Sequence, residues 1–331
     1  MSRYDVANLT GEAVRTTWQG QAGTTYPGWL YSGGALRVFG MGGSHNAAVA
    51  ATSRLRREGV DARAELASEY HRASLDRIGP ADTAVLISTS GESVELIELA
   101  ERMRAAGLHR TIAVVGESAT PLAALTSHEI LLGLEHPSPI DSYIATVMAL
   151  VRMGAATRGA PLPDIAADAD AVERAVASGR RLIAGVPASS VDVLGRGHLL
   201  GVAQQVTLLL REISRVPSTS WDPNNFRHGP MESIQPDQLT ILLRGPGDVS
   251  RAADKALARD LRTIPQRSLI LGNEAVTGGE TPDDLTVPPS PSLAGVSELA
   301  ALIPLIYQWG EHAGVEPGVF RYTRVTITAE A

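Results

Sequence analysis

Cysteine is absent from the 331 residues. That excludes disulfides, thiolate nucleophiles and cysteine-ligated zinc or iron–sulfur centres. Lysine occurs once, as Lys255, so a Schiff-base mechanism must use that residue or none. No run approaches the roughly 18–20 apolar residues of a membrane span. The opening Met1-Ser2-Arg3-Tyr4-Asp5-Val6 lacks the apolar centre of a targeting segment. Excess positive charge is also missing: 29 Lys+Arg against 36 Asp+Glu give a net charge of -7, which does not suggest a nucleic-acid footprint. The expectation is a soluble cytoplasmic chain with neither a membrane nor a nucleic-acid partner.

The length itself suggests about two domains. At 44% hydrophobic and 20% charged, the composition is that of ordinary globular chains and supports one or two full cores. Short apolar runs alternate with longer amphipathic ones. Leu36–Gly40, Thr83–Ile87, Thr111–Val115 and Ile130–Leu132 read as strands. Between and after them, Ser44–Glu58, a stretch through Val94 and Met103, and about Asp141–Gly154 read as helices. The pattern breaks near Gly159-Ala160-Pro161-Leu162-Pro163 and then restarts. Asp164–Ser178, Leu199–Glu212 and Leu299–Ala313 read as helices, and Val191–Gly195, Thr240–Leu243 and Ser268–Leu271 as strands. Such alternation predicts parallel sheets covered on both faces. The expected organisation is two similar α/β domains, 1–162 and 163–331.

Ser88-Thr89-Ser90-Gly91-Glu92-Ser93 joins a strong strand to a strong helix. At such a junction, exposed N–H groups and the helix dipole favour an anion. Short hydroxyls and one glycine suit a phosphate; the same residues also suit an ordinary serine-rich helix cap. Gly40-Met41-Gly42-Gly43-Ser44-His45 ends the first strand, but its glycine spacing misses the dinucleotide fingerprint. It reads as a tight turn that presents Ser44, or as a plain strand-to-helix turn. In the second half, Glu212 closes an apolar helix, and Ser220–Pro230 is rich in turn formers around His228. Glu and His form the usual base and acid pair near neutrality. Each taken alone also fits a structural role. His45, His136 and His198 read as loop residues after strands; His71, His109, His128 and His312 read as surface groups.

Together, Gly42-Gly43-Ser44, Ala67-Ser68-Glu69-Tyr70, Ser88–Ser93, Gly195-Arg196-Gly197 and Phe226-Arg227-His228-Gly229-Pro230 resemble the sugar isomerase (SIS) family with two SIS domains. The resemblance is to the isomerase half of glucosamine-6-phosphate synthases, to phosphosugar deaminases and to fructosamine-6-phosphate deglycases. It implies tandem SIS domains, each a parallel-sheet α/β sandwich of flavodoxin-like topology. It also implies a phosphorylated sugar or sugar–amine conjugate as ligand, held through Ser44, Ser88, Thr89, Ser90 and Ser93. Glu212 takes the place of the family's proton-shuttling base, and His228 that of the histidine for ring opening and acid catalysis. That histidine reaches the site from the neighbouring subunit in the synthases, so a homodimer with shared active sites is implied. Gly43, Ser138, Arg227 and Thr323 are further expected substrate contacts. No metal and no cofactor is called for.

Two departures narrow the chemistry. Leu209 stands where the synthases have a lysine near the catalytic glutamate. Tyr322-Thr323-Arg324 stands where they have the imine-forming lysine, and arginine is too basic for that role. The lysine-free pair fits a deglycase. Aldose–ketose isomerisation and amino-sugar deamination use the same proton relay, and a non-catalytic phosphosugar sensor is the alternative of another class.

Overall fold

The structure is a computed structural model. It describes residues 9–31, 33–71, 75–134, 138–182, 187–244, 248–272, 284–316 and 319–322. The chain divides into two compact units. One is Val14–Asp164 with Phe320 onward, and the other is Ile165–Val319 with the residues up to Ala13.

α1 (Gly11–Gly20) spans the division at Ala13 and Val14; in the first unit it leads to β1 (Leu36–Gly40), α2 (Gly42–Arg57), β2 (Ala62–Leu66), α3 (Ala67–His71) and β3 (Thr83–Ile87). Then come α4 (Val94–Ala105), β4 (Thr111–Val115), β5 (His128–Leu131) and α5 (Pro139–Thr157). The strands form a parallel sheet in the order β2-β1-β3-β4-β5. Alternation along the central strands sends side chains to both faces. Leu36, Val38, Val85, Ile87, Ile112 and Val114 pack with Leu55 of α2 and Met153 of α5. Phe39, Ala84, Leu86, Ala113 and Val115 pack with Tyr70 of α3 and Leu99 of α4. Both faces are therefore covered, which explains why these strands are continuous apolar runs. Gly154 allows the close approach on one face, since a Cβ there would lie 2.1 Å from Leu55 Cδ2.

The second unit continues with α6 (Ala166–Gly179), β6 (Val191–Leu194), α7 (His198–Leu209), β7 (Ser218–Trp221) and α8 (Pro223–Arg227). It closes with β8 (Leu239–Arg244), α9 (Asp248–Thr263), β9 (Arg267–Gly272), β10 (Leu285–Thr286) and α10 (Val296–His312). Its parallel sheet has the order β10-β9-β8-β6-β7. Numbered within the unit and read from the other edge, this is again 2-1-3-4-5. The doubly wound α/β class expected from the sequence is present in both units, with the flavodoxin-like order. Leu194, Leu242 and Ile270 pack with Phe226, Leu257 and Leu261 on one face. α10 packs against α6, where Gly179 has no room for a Cβ: Ala301 O would lie 2.0 Å away.

Several local expectations are corrected. α2 starts at Gly42, two residues before the expected Ser44, and His45 lies in its first turn and not in a loop. His198 likewise opens α7. Three strands were not expected: β2, β7 and β10. Each is at or next to an edge of its sheet and short, and β2 and β7 carry polar residues on their exposed side. α8 and part of β7 occupy the segment read as turns.

Candidate functional site

The first sheet reverses its order between β1 and β3. Phe39 pairs with Leu86, which brings the carboxyl ends of both strands to one edge. Ligands of open α/β sheets bind at such reversals. Met41 with the first turn of α2 leaves there, and so does the Ser88–Ser93 loop.

The serine loop is tightly organised. Ser88 is buried, and its Oγ lies 2.9 Å from Ser93 Oγ and accepts the Gly91 amide at 3.1 Å. Ser90 Oγ accepts the Glu92 amide at 3.2 Å. Thr89 O accepts the Gly116 amide at 2.9 Å, and a Cβ on Gly116 would crowd that oxygen at 2.8 Å. Gly91 has φ +67°, and any Cβ there would lie 2.3 Å from Thr120. Only glycine fits. Ser93 occupies the cap position of α4 without a side-chain capping bond. Met41 caps α2 in the same unassisted way. Two helix amino ends, of 12 and 16 residues, thus meet the same edge without a capping side chain. Their dipoles and amides favour an anion. Gly43 and Ser44 sit in the first turn of α2. A Cβ at Gly40 would meet His45 N at 2.8 Å, so that glycine lets the turn fold back closely on the strand. Burial lowers the proton affinity of His45, opposed by the nearby Glu69.

The second unit carries the other two candidates. α7 does not end as a simple helix; Leu210–Ser214 widen into a π-turn. Such turns store local strain and recur at functional sites. α10 holds the turn in place: Ser214 Oγ donates to Ile306 O at 2.7 Å, and Gly310 leaves room for Ile213 O, which a Cβ would meet at 2.9 Å. Arg211 donates through Nε and Nη2 to Ser218 O at 2.9 and 2.7 Å. Arg215, left-handed at φ +57°, ends the turn. Glu212 lies within it. Burial pushes its carboxyl up from 4.5 to about 7, against the opposing charge of Arg215. Among the described residues no hydrogen bond or ion pair holds that carboxyl. His228 is exposed at the carboxyl end of α8, followed by Gly229 at φ +143°.

The remaining candidates have visible structural tasks. Ser138 caps α5: its Oγ accepts the Asp141 amide at 3.1 Å and donates to Asp141 Oδ2 at 2.6 Å. Arg227 of α8 pairs with Asp260 of α9. Thr323 and His136 lie outside the described residues, as does the side chain of His71. Lys255 is exposed on α9. No group of three or more histidine, aspartate or glutamate side chains suited to a metal occurs among the described residues. None of the described helices is long and apolar enough to cross a membrane. The π-turn escaped the sequence reading because Leu210–Ser214 continue a helical pattern without a break.

Residues 30–155 match the family model of the SIS domain. The match lies within the first unit. It is 25% identical over 232 residues to a glutamine–fructose-6-phosphate aminotransferase of Sulfolobus acidocaldarius, covering 65% of this chain and 39% of that protein. The chain thus spans about two-fifths of that relative. Its fold superposes on the C-terminal domain of glucosamine-fructose-6-phosphate aminotransferase from Francisella tularensis with a TM-score of 0.80, at 14% identity, over 94% of this chain and 96% of that one. Glucosamine-6-phosphate deaminase from Thermotoga maritima gives a TM-score of 0.77 at 16% identity, over 98% and 99% of the two chains.

Proposed function

We propose that the chain is a phosphosugar enzyme of two tandem SIS domains, working through a 1,2-enol intermediate, and that its reaction is deglycation. The observation that carries this reading is Glu212: a carboxyl on a π-turn, with no hydrogen bond or ion pair among the described residues, whose affinity for its proton is balanced at about pH 7. Such a group can accept and return a proton in neutral solution. The serine loop supplies the phosphate subsite, with Ser44, Ser88, Thr89, Ser90 and Ser93 around the anion. The names of the relatives supply the substrate class, a hexose 6-phosphate carrying a ketone or an amine. Gly43, Ser138, Arg227 and Thr323 complete the substrate contacts in this reading.

Glu212 removes a proton from C1 of a ring-opened N-substituted 1-amino-ketose 6-phosphate. The C1–H electron pair forms the C1=C2 double bond of an enaminol, and the C2 carbonyl oxygen takes up a proton. Return of a proton to C2 gives the C1 imine of the aldose. Water adds to that imine, and the amine departs with the proton balance restored. His228 opens the ring and supplies acid; its exposure suits a side chain given to a partner's site, so a homodimer belongs to this reading. The only lysine is exposed on α9, which favours a path without an enzyme-bound imine. Incubation with an N-fructosyl amino acid 6-phosphate in D₂O tests the proposal. Free amino acid and glucose 6-phosphate deuterated at C2 are expected. Aldose–ketose interconversion of fructose 6-phosphate alone would select the isomerase, and ammonia release from glucosamine 6-phosphate the deaminase. Binding without exchange or turnover would leave a sensor.

A further inference from the structure

The second sheet also reverses its order, between β6 and β8. Leu194 pairs with Leu242 there, as Phe39 pairs with Leu86 in the first sheet. Two residues beyond each pair, the first sheet has Met41 and Ser88. The second has Arg196 and Arg244. The hydroxyl that anchors the serine loop is thus replaced by a guanidinium, with another on the adjacent strand end.

These arginines have unused donors. Arg244 is 5% exposed, yet its Nε and Nη1 have no hydrogen-bond partner among the described residues. The buried Nε of Arg196 has none either. The other donors of Arg196 fix its position. Nη2 reaches Asn224 Oδ1 at 3.2 Å and Asp254 Oδ1 at 3.4 Å, and Nη1 lies 3.5 Å from Asp222 Oδ2. The charge of Arg244 acts on Asp254 as well, so both arginines belong to one cluster. Asp254 is buried beneath it, while Arg196 and Asp222 are about a third exposed and form its open side. The backbone resembles that of the first unit. A Cβ at Gly195 would lie 2.1 Å from Leu199 O, and Gly197, at φ +61°, starts the 12-residue α7 without a side-chain cap.

Buried charged N–H groups are costly to leave without an acceptor, and such deficits mark places where a ligand or ion completes the structure. Guanidinium forks match planar and tetrahedral oxyanions. We infer that the β6/β8 edge of the second unit is a second oxyanion site, which takes a phosphate or carboxylate group on Arg196 and Arg244. Asp222 and Asp254 orient Arg196.

Calorimetric titration of the full chain with inorganic phosphate, and separately with glutamate, tests the inference. Four proteins are compared: wild type, Arg244→Gln, Arg196→Gln, and Ser88→Ala/Ser90→Ala. Wild type should bind phosphate at the serine loop and at a second location. Arg244→Gln should weaken only the second, roughly tenfold or more. Arg196→Gln, at a more exposed position, repeats the test if Arg244→Gln fails to fold. Binding of glutamate that both arginine variants weaken, with phosphate ignored, would identify a carboxylate as the ligand and still support the site. Identical titrations of wild type and both arginine variants with both anions would overturn it. If the serine variant loses all phosphate binding and glutamate does not bind, this inference fails while the serine-loop reading stands. If the serine variant binds as wild type does and the arginine variants do not, the reverse holds.

Discussion

Replacing Glu212 by glutamine removes a carboxyl that the fold ionises only with difficulty. Its proton affinity rises from 4.5 to about 7 on burial, opposed only by Arg215. Each tenfold change in proton affinity is worth about 1.4 kcal/mol, so the ionised form costs the native state about 3 kcal/mol. The direction follows from proton counts. Below about pH 4.5 the carboxyl is protonated in both the folded and the unfolded chain, and it contributes no pH dependence. Between 4.5 and 7 the unfolded chain loses the proton while the native state keeps it, so stability falls as pH rises. Above 7 the loss is complete. Glutamine has nearly the same shape, and no hydrogen bond or ion pair of Glu212 is forfeited among the described residues. Urea unfolding of wild type and Glu212→Gln should therefore give similar stabilities near pH 4. At pH 8 the variant should be more stable by an amount approaching about 3 kcal/mol. A gap that does not change with pH, or a variant less stable than wild type at pH 8, would refute the assignment of a desolvated carboxyl.

Other consequences are equally direct. Gly91→Ala forces a side chain into a left-handed residue 2.3 Å from Thr120; it should cost about 1–3 kcal/mol and weaken phosphate binding, read by thermal melts with and without phosphate. Asp168→Ala removes the acceptor of the buried Ser292 and Leu293 amides, 2.9 and 2.8 Å from Asp168 Oδ1. A loss of about 2–5 kcal/mol is expected in denaturant unfolding, because two buried donors are orphaned. His45 is held below its ordinary proton affinity by burial, so the unfolded chain binds its proton more readily. Its own contribution should therefore disfavour the folded state as pH falls below about 6.5; in the Glu212→Gln background, His45→Asn should make the stability lost on going from pH 8 to pH 5 smaller. His228→Asn should slow turnover roughly 10²–10⁴-fold; a full rate in steady-state kinetics would place ring opening elsewhere.

The sequence disclosed the sheets better than their edges. Leu36–Gly40, Thr83–Ile87 and Thr111–Val115 are covered on both faces, and their uninterrupted apolar character records it. Ala62–Leu66 and Ser218–Trp221 are edge strands with a polar outer side, so their composition resembles that of loops. The serine loop was legible because hydroxyls and a glycine sit at a strand-to-helix junction. That Gly91 must be glycine was not, since the reason is Thr120, which is 29 positions away in sequence and close only in the fold. Glu212 was found through its motif. Its altered proton affinity comes from burial in a π-turn braced by Ile306 and Gly310 of α10, an arrangement that local sequence does not encode. Arg244 was overlooked because an arginine ending a strand is unremarkable until the register sets it at the position that Ser88 holds in the first unit.

Proton NMR in D₂O tests the enol relay most directly. Wild type and Glu212→Gln are each incubated with an N-fructosyl amino acid 6-phosphate, and the C1 and C2 resonances of substrate and product are followed. Wild type should place deuterium at C2 of the glucose 6-phosphate it releases. Glu212→Gln should bind the substrate with little loss yet neither exchange nor release amine. Undiminished exchange or amine release by the variant would contradict Glu212 as the proton carrier.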